Sequence, residues 1–345
     1  KIEKTIDVNS DSRIKVKSTE IGKSAKYKIY KINNARLYTD RIHDTAALLD
    51  NKIIEGASFQ LRGNKNEEAI HNIVFKKGTP RKLRKIKGTV LSLLTGGGGN
   101  SNYWHWLYDV LPRLRLCEEI KKLKDVDYFI LPSLEKKFQV ETLKILNIDE
   151  KKLLSSKKFR HILASELIVT DHPFNLTNNF HNDSQNIPIW IIKWLREQFL
   201  KNLNKLKTNY PKKIYLERGD SKLIKAQERS MINEDEVKKF LINKNFTFVK
   251  LNELPFAEQI NHFYNANYVI GLHGAGFANL SFCRERTKVI EFRTETTGSV
   301  IENLAKKNNL EFDSIICAAK APEYAKQSGH IKIPLDLLEQ KMSEI

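Results

Sequence analysis

Apolar and polar residues alternate with a period of two through much of the first 95 positions. That period predicts short strands over 13–18, 27–32, 35–39, 53–61 and 88–94, punctuated by turn-like Asn-Asn and Gly-Asn pairs. From Asn102 the period lengthens to that of a helix reaching about Lys122, and strands over 127–131 and 162–170 then enclose a helix over 135–146. Strands separated by helices read as βαβ units, whose crossovers make a sheet parallel. The stretch 175–186, rich in Asn and Asp with little apolar content, reads as a linker, and Pro188 is well placed to start a long amphipathic helix to about Leu206. After Pro211 a second series begins, with strands over 214–216, 246–251, 268–271, 289–293 and 312–317 and helices over 235–243, 255–265, 276–283 and 299–307. The expected fold class is α/β, with two Rossmann-like doubly wound domains facing a central cleft and ligands at the carboxyl ends of the strands. The expected division is a first domain over 1–186, a strand-rich part followed by a Rossmann-like part; a linker helix over 187–210; and a second Rossmann-like domain over 211–345.

Composition bounds the class. The apolar share of 41% and charged share of 29% fit a globular chain of 345 residues and exclude a disordered or fibrous one. No stretch approaches the ~18 consecutive apolar residues of a membrane span. Cys117, Cys283 and Cys317 are few, odd in number and far apart, which offers neither a disulfide framework nor a CxxC metal site and points to a reducing, cytoplasmic compartment. The net charge of +18 is regional: residues 1–210 carry 39 Lys and Arg against 23 Asp and Glu, whereas 211–345 carry 20 against 18. The densest run is Lys76, Lys77, Arg81, Lys82, Arg84, Lys85 and Lys87. It is either a solvated loop or an anion-binding face, and no aromatic stands between its charges to stack on bases, so no specific nucleic acid is expected as partner. A basic protein that binds nucleic acid or glycan without catalysis is the alternative to an enzyme. The anionic partner expected of the basic half is a membrane surface, met peripherally at its inner face, or an acidic glycan. The oligomeric state is not legible.

Three motifs carry candidate chemistry. In Thr95-Gly-Gly-Gly-Gly-Asn-Ser-Asn102-Tyr-Trp-His105-Trp-Leu-Tyr-Asp109, glycines including Gly98 and Gly99 bring backbone close to a ligand, or serve as a flexible connection. His105 and Asp109 stand at i, i+4 on one helix face, where a carboxylate can orient an imidazole or either group can take a proton from a hydroxyl; packing of His105 with Trp104 and Trp106 is the plainer account. In Tyr215-Leu-Glu-Arg218 a strand ends on a guanidinium able to hold a phosphate, and Arg229 follows, with Asn233 as an N-cap and Glu236 as its capping-box partner. In Gly271-Leu-His273-Gly274-Ala275-Gly276-Phe-Ala-Asn279 a strand runs into a glycine turn and a helix start, whose N–H groups suit a phosphate. Glu291 ends an apolar strand and could accept from ribose hydroxyls. The lone D-x-D, Asp125-Val-Asp127, begins a predicted strand and reads as a strand edge, not a metal site.

In this order the motifs Asn102-Tyr-Trp-His105-Trp-Leu-Tyr-Asp109-Val-Leu-Pro112-Arg-Leu, Tyr215-Leu-x-Arg218 with Arg229-x-x-x-Asn233-Glu234, Gly271-x-His273-Gly274-Ala275-Gly276-x-x-Asn279 and Glu291 resemble glycosyltransferase family 61. Its members include plant xylosyltransferases, animal O-linked N-acetylglucosaminyltransferases and bacterial polysaccharide-biosynthesis enzymes. The resemblance implies a GT-B arrangement and inverting transfer from a nucleotide sugar, UDP-linked in expectation, to a glycan or lipid-linked glycan, without a cofactor or obligatory metal. It implies His105 and Asp109 as catalytic residues; Arg218, Arg229, Asn233, His273, Gly274, Ala275, Gly276, Asn279 and Glu291 as donor-binding; and Gly98, Gly99 and Asn102 as an acceptor-side loop. Residues 219–228, and Glu217 in front of Arg218, depart from the family pattern.

Overall fold

The period-two segments at the start of the chain and the first βαβ series build a single sheet. The computed structural model describes residues 2, 4–22, 25–62, 65–202, 209–218, 229–319 and 329–344, and the chain falls into two units, Lys1–Leu195 and Arg196–Ile345. Both are mixed α/β. Among the described residues the first unit holds eleven strands: β1 (Lys4–Ile6), β2 (Ile14–Ile21), β3 (Ala25–Thr39), β4 (Asp44–Leu49), β5 (Lys52–Ile54), β6 (Phe59–Arg62), β7 (Lys65–Asn66), β8 (Arg84–Ser92), β9 (Tyr128–Leu131), β10 (Leu153–Ser155) and β11 (His161–Thr170). Their order is β1-β5-β4-β3-β11-β8-β9-β10, with β2 also on β3 and β6 on β4 and β7.

The parallel strands β11, β8, β9 and β10 include the two strands of the expected βαβ series, β9 and β11, together with β8 from the strand-rich part and β10, which was not expected. β3 pairs antiparallel with β11 from Ile29 to Tyr38, the full length of β11, and fuses the amino-terminal strands onto that series. The first unit is therefore one mixed sheet, not a strand-rich part followed by a doubly wound one. Two local features hid this. β3 runs straight through Asn33-Asn34, where a turn was expected, with Asn34 adopting the left-handed φ of 51° inside a continuous strand. β4 is buried at every position and so shows no alternation to read. The stretch 175–186, expected to be a linker, includes a helix, Phe180–Ser184, whose Asp183 accepts from the Leu176 and Thr177 amides at 2.8 Å. The boundary between units falls within the helix Ile189–Asn202, inside the expected linker helix over 187–210, whose residues 203–208 lie outside the described residues.

The second unit contains β12 (Lys213–Leu216), β13 (Arg229–Met231), β14 (Thr247–Val249), β15 (Tyr268–Leu272), β16 (Lys288–Thr294), β17 (Glu311–Cys317) and β18 (Gly329–Ile331). Five of these form a parallel sheet in the order β14-β12-β15-β16-β17, with β13 and β18 as a separate parallel pair. After β12 the chain moves outward to β14 and then returns to the other side at β15, so the strand order reverses between β12 and β15. The carboxyl ends flanking such a reversal form the crevice where doubly wound sheets bind ligands. β15 is buried throughout, as a central parallel strand should be. Gly271 lies in register with Leu216, and a Cβ on it would stand 2.9 Å from the Leu216 Cβ.

All three cysteines are free thiols. No helix among the described residues is long and apolar enough to cross a membrane.

Replacing Gly271 with Ala should push β12 and β15 apart where the order reverses, at a cost of about 1–3 kcal/mol. The loss is measured as a lower urea midpoint, and an unchanged midpoint would show that the strands have room to spare.

Candidate functional site

The first candidate site is built on the helical run that starts at Asn102. Asn102 is the N-cap of Tyr103–His105, its side chain accepting from the His105 amide at 3.3 Å. The helix then widens into a π-turn over Trp106–Val110 and narrows again at Pro112–Cys117. Pro112 has no N–H to give the preceding turn, and the Leu111 amide bonds the Trp106 carbonyl five residues back. Trp106, fully buried, pins the widened turn by donating its indole N–H to Thr142 Oγ1 at 2.9 Å.

Asp109 sits in this π-turn with its carboxylate buried. Its Oδ2 accepts from His105 Nδ1 at 2.8 Å, and the His105 side chain is 26% exposed against 4% for Asp109. Nδ1–H bound to a carboxylate leaves Nε2 of neutral His105 with a free lone pair. The ring is held from two other sides. Phe180 stacks on it at 6.4 Å and 24°, and a Cβ on Gly98 would come within 3.0 Å of its Cγ. Gly99 and Asn100 give their carbonyls to Gln139 Nε2 at 3.2 Å. The glycine loop thus packs against the imidazole, a role not expected from its sequence.

His172, unmarked in the sequence, stands on the other side of Asp109, its Nε2 3.6 Å from Oδ2. Its Nδ1 accepts from the Phe174 and Asn175 amides at 3.3 and 3.0 Å, which fixes the proton on Nε2. Arg113 was part of the motif but had no role. It is 3% exposed and donates from Nε to the Asp109 carbonyl at 2.9 Å and from Nη1 to the Thr170 carbonyl at 3.0 Å, tying the helix to the end of β11. The signal for His172 was its place, two residues past the carboxyl end of a parallel strand.

These contacts set the protonation states. Burial alone would raise the Asp109 carboxyl, but the charge and hydrogen bond of His105, with the longer contact to His172, hold it down at about 2. Burial works against a charge on His105, and the Asp109 carboxylate outweighs it, raising the imidazole above its ordinary value. For His172 burial wins and the ring is pushed below its ordinary value. Burial brings Arg113 down to about 10, so it stays charged at neutral pH. Asp109 Oδ1 is buried without a hydrogen-bond partner among the described residues.

The second candidate site lies at the strand-order reversal of the other unit. Arg218, just past β12, and Arg229, at the start of β13, both donate from Nη1 to the His273 carbonyl, at 3.3 and 2.8 Å. Gly274, Ala275 and Gly276 are partly exposed and lead into the 3-10 helix Ala275–Phe282, whose first amides lack partners further back in that helix. A Cβ on Gly276 would stand 2.7 Å from Leu251 Cδ1. Glu217, ahead of Arg218, is paired with Lys238 at 2.5 Å. Residues 219–228 lie outside the described residues.

Three sequence-predicted donor residues are spent on the protein itself. Glu291 is fully buried and its Oε1 hydrogen-bonds His273 Nδ1, so the carboxylate presents no exposed surface to a ribose hydroxyl. Asn279 is fully buried and donates to Gln259 Oε1 at 3.2 Å. Asn233 takes the N-cap position of Glu234–Asn243 without a capping bond: its amide group pairs with the backbone of Ile333, donating to the carbonyl at 2.8 Å and accepting from the amide at 2.9 Å. The expected capping box is therefore absent, because the backbone beyond β18 offers the side chain a better, two-bond partner. Asp127 of the D-x-D pair accepts from the Thr89 amide at 2.7 Å, and no group of three or more His, Cys, Asp or Glu among the described residues is arranged to hold a metal ion.

The family model described as Glycosyltransferase 61 matches residues 103–290, more than half of the chain and inclusive of His105, Asp109, His172, Arg218, Arg229 and the His273 loop. No curated protein matches the chain.

In an NMR titration His105 should protonate above the ordinary histidine value of ~6.5. In Asp109→Asn it should protonate below that value, because burial persists after the carboxylate's charge is gone. A wild-type midpoint at or below ~6.5 would contradict the pairing.

Proposed function

The chain belongs to glycosyltransferase family 61, and from that premise we propose that it is an inverting transferase moving a sugar from a UDP-linked donor to a hydroxyl of a glycan or lipid-linked glycan, as in surface polysaccharide biosynthesis. The observation that carries this is the His105–Asp109 pair: a buried carboxylate fixes one nitrogen of an imidazole whose ring remains partly exposed.

In this proposal His105 is the general base and Asp109 its orienting partner. Asp109 is too well buried, and too weak a base at about 2, to take the proton from a hydroxyl itself. His105 Nε2 accepts the acceptor's hydroxyl proton as that oxygen attacks the anomeric carbon. The bond from the anomeric carbon to the diphosphate oxygen breaks on the opposite face, so the configuration inverts and the nucleoside diphosphate leaves. Asp109 stays ionised and stabilises the imidazolium.

The second unit is assigned the donor. What supports this is the meeting of two guanidinium groups on the His273 carbonyl at the reversal of strand order, beside a glycine turn and a helix start. Arg218, Arg229 and the amides of Gly274, Ala275 and Gly276 would meet the diphosphate charge, fixed donors that need no reorganisation as the leaving group departs. Glu291 is assigned to orienting His273 in place of reading ribose, and Asn233 and Asn279 to bracing the loop. The doubly wound sheet supports the donor half of a GT-B enzyme; the mixed sheet of the first unit is a departure from a second Rossmann-like domain. No residue is assigned to a metal, and turnover is expected to survive chelation. The basic run from Lys76 to Lys87 is exposed throughout its charges, which supports a peripheral contact with an anionic membrane surface.

A thermal-shift panel of nucleotide sugars should single out UDP-linked donors, and no response to any nucleotide would sink the proposal. Given a donor, His105→Ala and Asp109→Asn should each lower turnover about 100-fold or more with donor affinity unchanged. Near-normal turnover in both would remove this helix from the chemistry. Arg218→Ala should weaken UDP binding about tenfold or more by calorimetry, the scale of a charge-assisted hydrogen bond, and unaltered affinity would take Arg218 out of the donor site.

A further inference from the structure

The first unit encloses a cavity of about 800 Å³ lined by residues from Thr5 to Leu176. We propose that this cavity is a carbohydrate subsite that takes uncharged or amino-bearing glycan and disfavours phosphorylated or uronic-acid glycan. Naming the ligand as the acceptor rests on the transferase reading above; the carbohydrate preference does not.

Position is the first reason. His172 and Arg113 line the cavity, and both also touch Asp109, His172 through Nε2 at 3.6 Å and Arg113 through the backbone carbonyl at 2.9 Å. A ligand there would lie one side chain away from the carboxylate that holds His105. Its size falls in the ~300–1,000 Å³ range of small-molecule sites, ample for a short oligosaccharide.

The lining chemistry is the second reason. Thr45, Arg113 and Asn175 line the cavity, and each keeps a buried side-chain polar atom unpartnered among the described residues: Oγ1, Nη2, and both amide atoms of Asn175. Donors and acceptors left in want of partners suit a ligand that offers many hydroxyls, each able to give and to receive. Phe59, half-buried, stacks on His172 with centroids 5.7 Å apart and 26° between planes. Its ring supplies an apolar wall against which the C–H face of a sugar can leave water.

Charge selects the class of glycan. The lining carries Glu55, Glu67, Glu68 and Asp171 against Lys26 and Arg113, and the three glutamates are exposed. This acidic mouth sits in the half of the chain that holds nearly all of the excess positive charge. An anionic sugar would meet like charges there, whereas an amino sugar would meet opposite ones. The acidic acceptor glycan expected from net charge is thus disfavoured at this cavity, and the basic excess is displayed elsewhere, as along Lys76 to Lys87.

The test is binding of the full chain to an oligosaccharide array with neutral, amino-bearing, uronate-bearing and phosphorylated arms. Binding should concentrate in the neutral and amino arms. Phe59→Ala should weaken it about tenfold with the melting temperature unchanged. Glu55→Lys with Glu68→Lys, both at exposed positions, should shift preference toward the uronate arm, and this pair keeps the test alive if Phe59→Ala fails to fold. Uronate or phosphate arms bound as well as neutral ones by the wild type, no binding to any arm, or a preference unmoved by the charge reversal would each overturn the proposal. Calorimetry with UDP, run on the same protein, separates the two claims: array selectivity without UDP binding leaves the cavity standing and defeats the transferase reading, and UDP binding without array selectivity does the reverse.

Discussion

A carboxylate held in the interior is the constraint around which the first unit is arranged. Removing an ionised Asp from water costs several kcal/mol, and only close opposite charge and good hydrogen bonds recover it. Asp109 has His105 at 2.8 Å on one side and His172 at 3.6 Å on the other. The π-turn places it there, Pro112 accompanies that turn, and Arg113 anchors the same helix to the end of β11. The glycine loop and Phe180 close on His105. Each feature makes sense as support for one buried charge and the imidazole it aligns. The same carboxylate favours the charged form of both histidines, and burial decides between them: His105, partly exposed, ends raised, and His172, buried, ends lowered. Environments that push like groups apart distribute roles between them. One ring is left able to take a proton and the other serves as a neutral brace.

The second unit solves a different problem by backbone means. A parallel sheet whose order reverses at β12 and β15 leaves open the space beyond their carboxyl ends. Two arginines converge there on the carbonyl of His273, while Glu291 hydrogen-bonds Nδ1 of that histidine's ring. The cations are placed by a carbonyl acceptor, and Gly274 and Gly276 of the turn are partly exposed.

The second unit was largely legible in the sequence because its strands are short apolar runs punctuated by helices of clear period; the predicted strands over 214–216, 268–271 and 289–293 match β12, β15 and β16 to within a residue or so. In the first unit, local signals misled where tertiary context overruled them. Asn33-Asn34 signals a turn, yet pairing with β11 carries β3 through it. β4 has no alternation because both its faces are covered. The polar composition of 175–186 suggested a linker, but its Asp183 caps a loop and its Phe180 packs on His105. At the candidate site, His105 and Asp109 were visible through their helical spacing, whereas the contact of His172 with Asp109 spans 63 positions and left no local pattern. Asn233, Asn279 and Glu291 had the right residue types for ligand contacts, but their burial was invisible, and burial decided that they bond to the protein itself.

The central claim is that a buried Asp109 makes His105 the base. Its most direct test is the pH dependence of kcat/KM for the wild type and Asp109→Asn. The account predicts a wild-type acid limb set by a histidine above its ordinary value, and in the variant a much lower plateau with the limb moved to lower pH. A limb that stays in place when Asp109 is neutralised, or a plateau that does not fall, would contradict it.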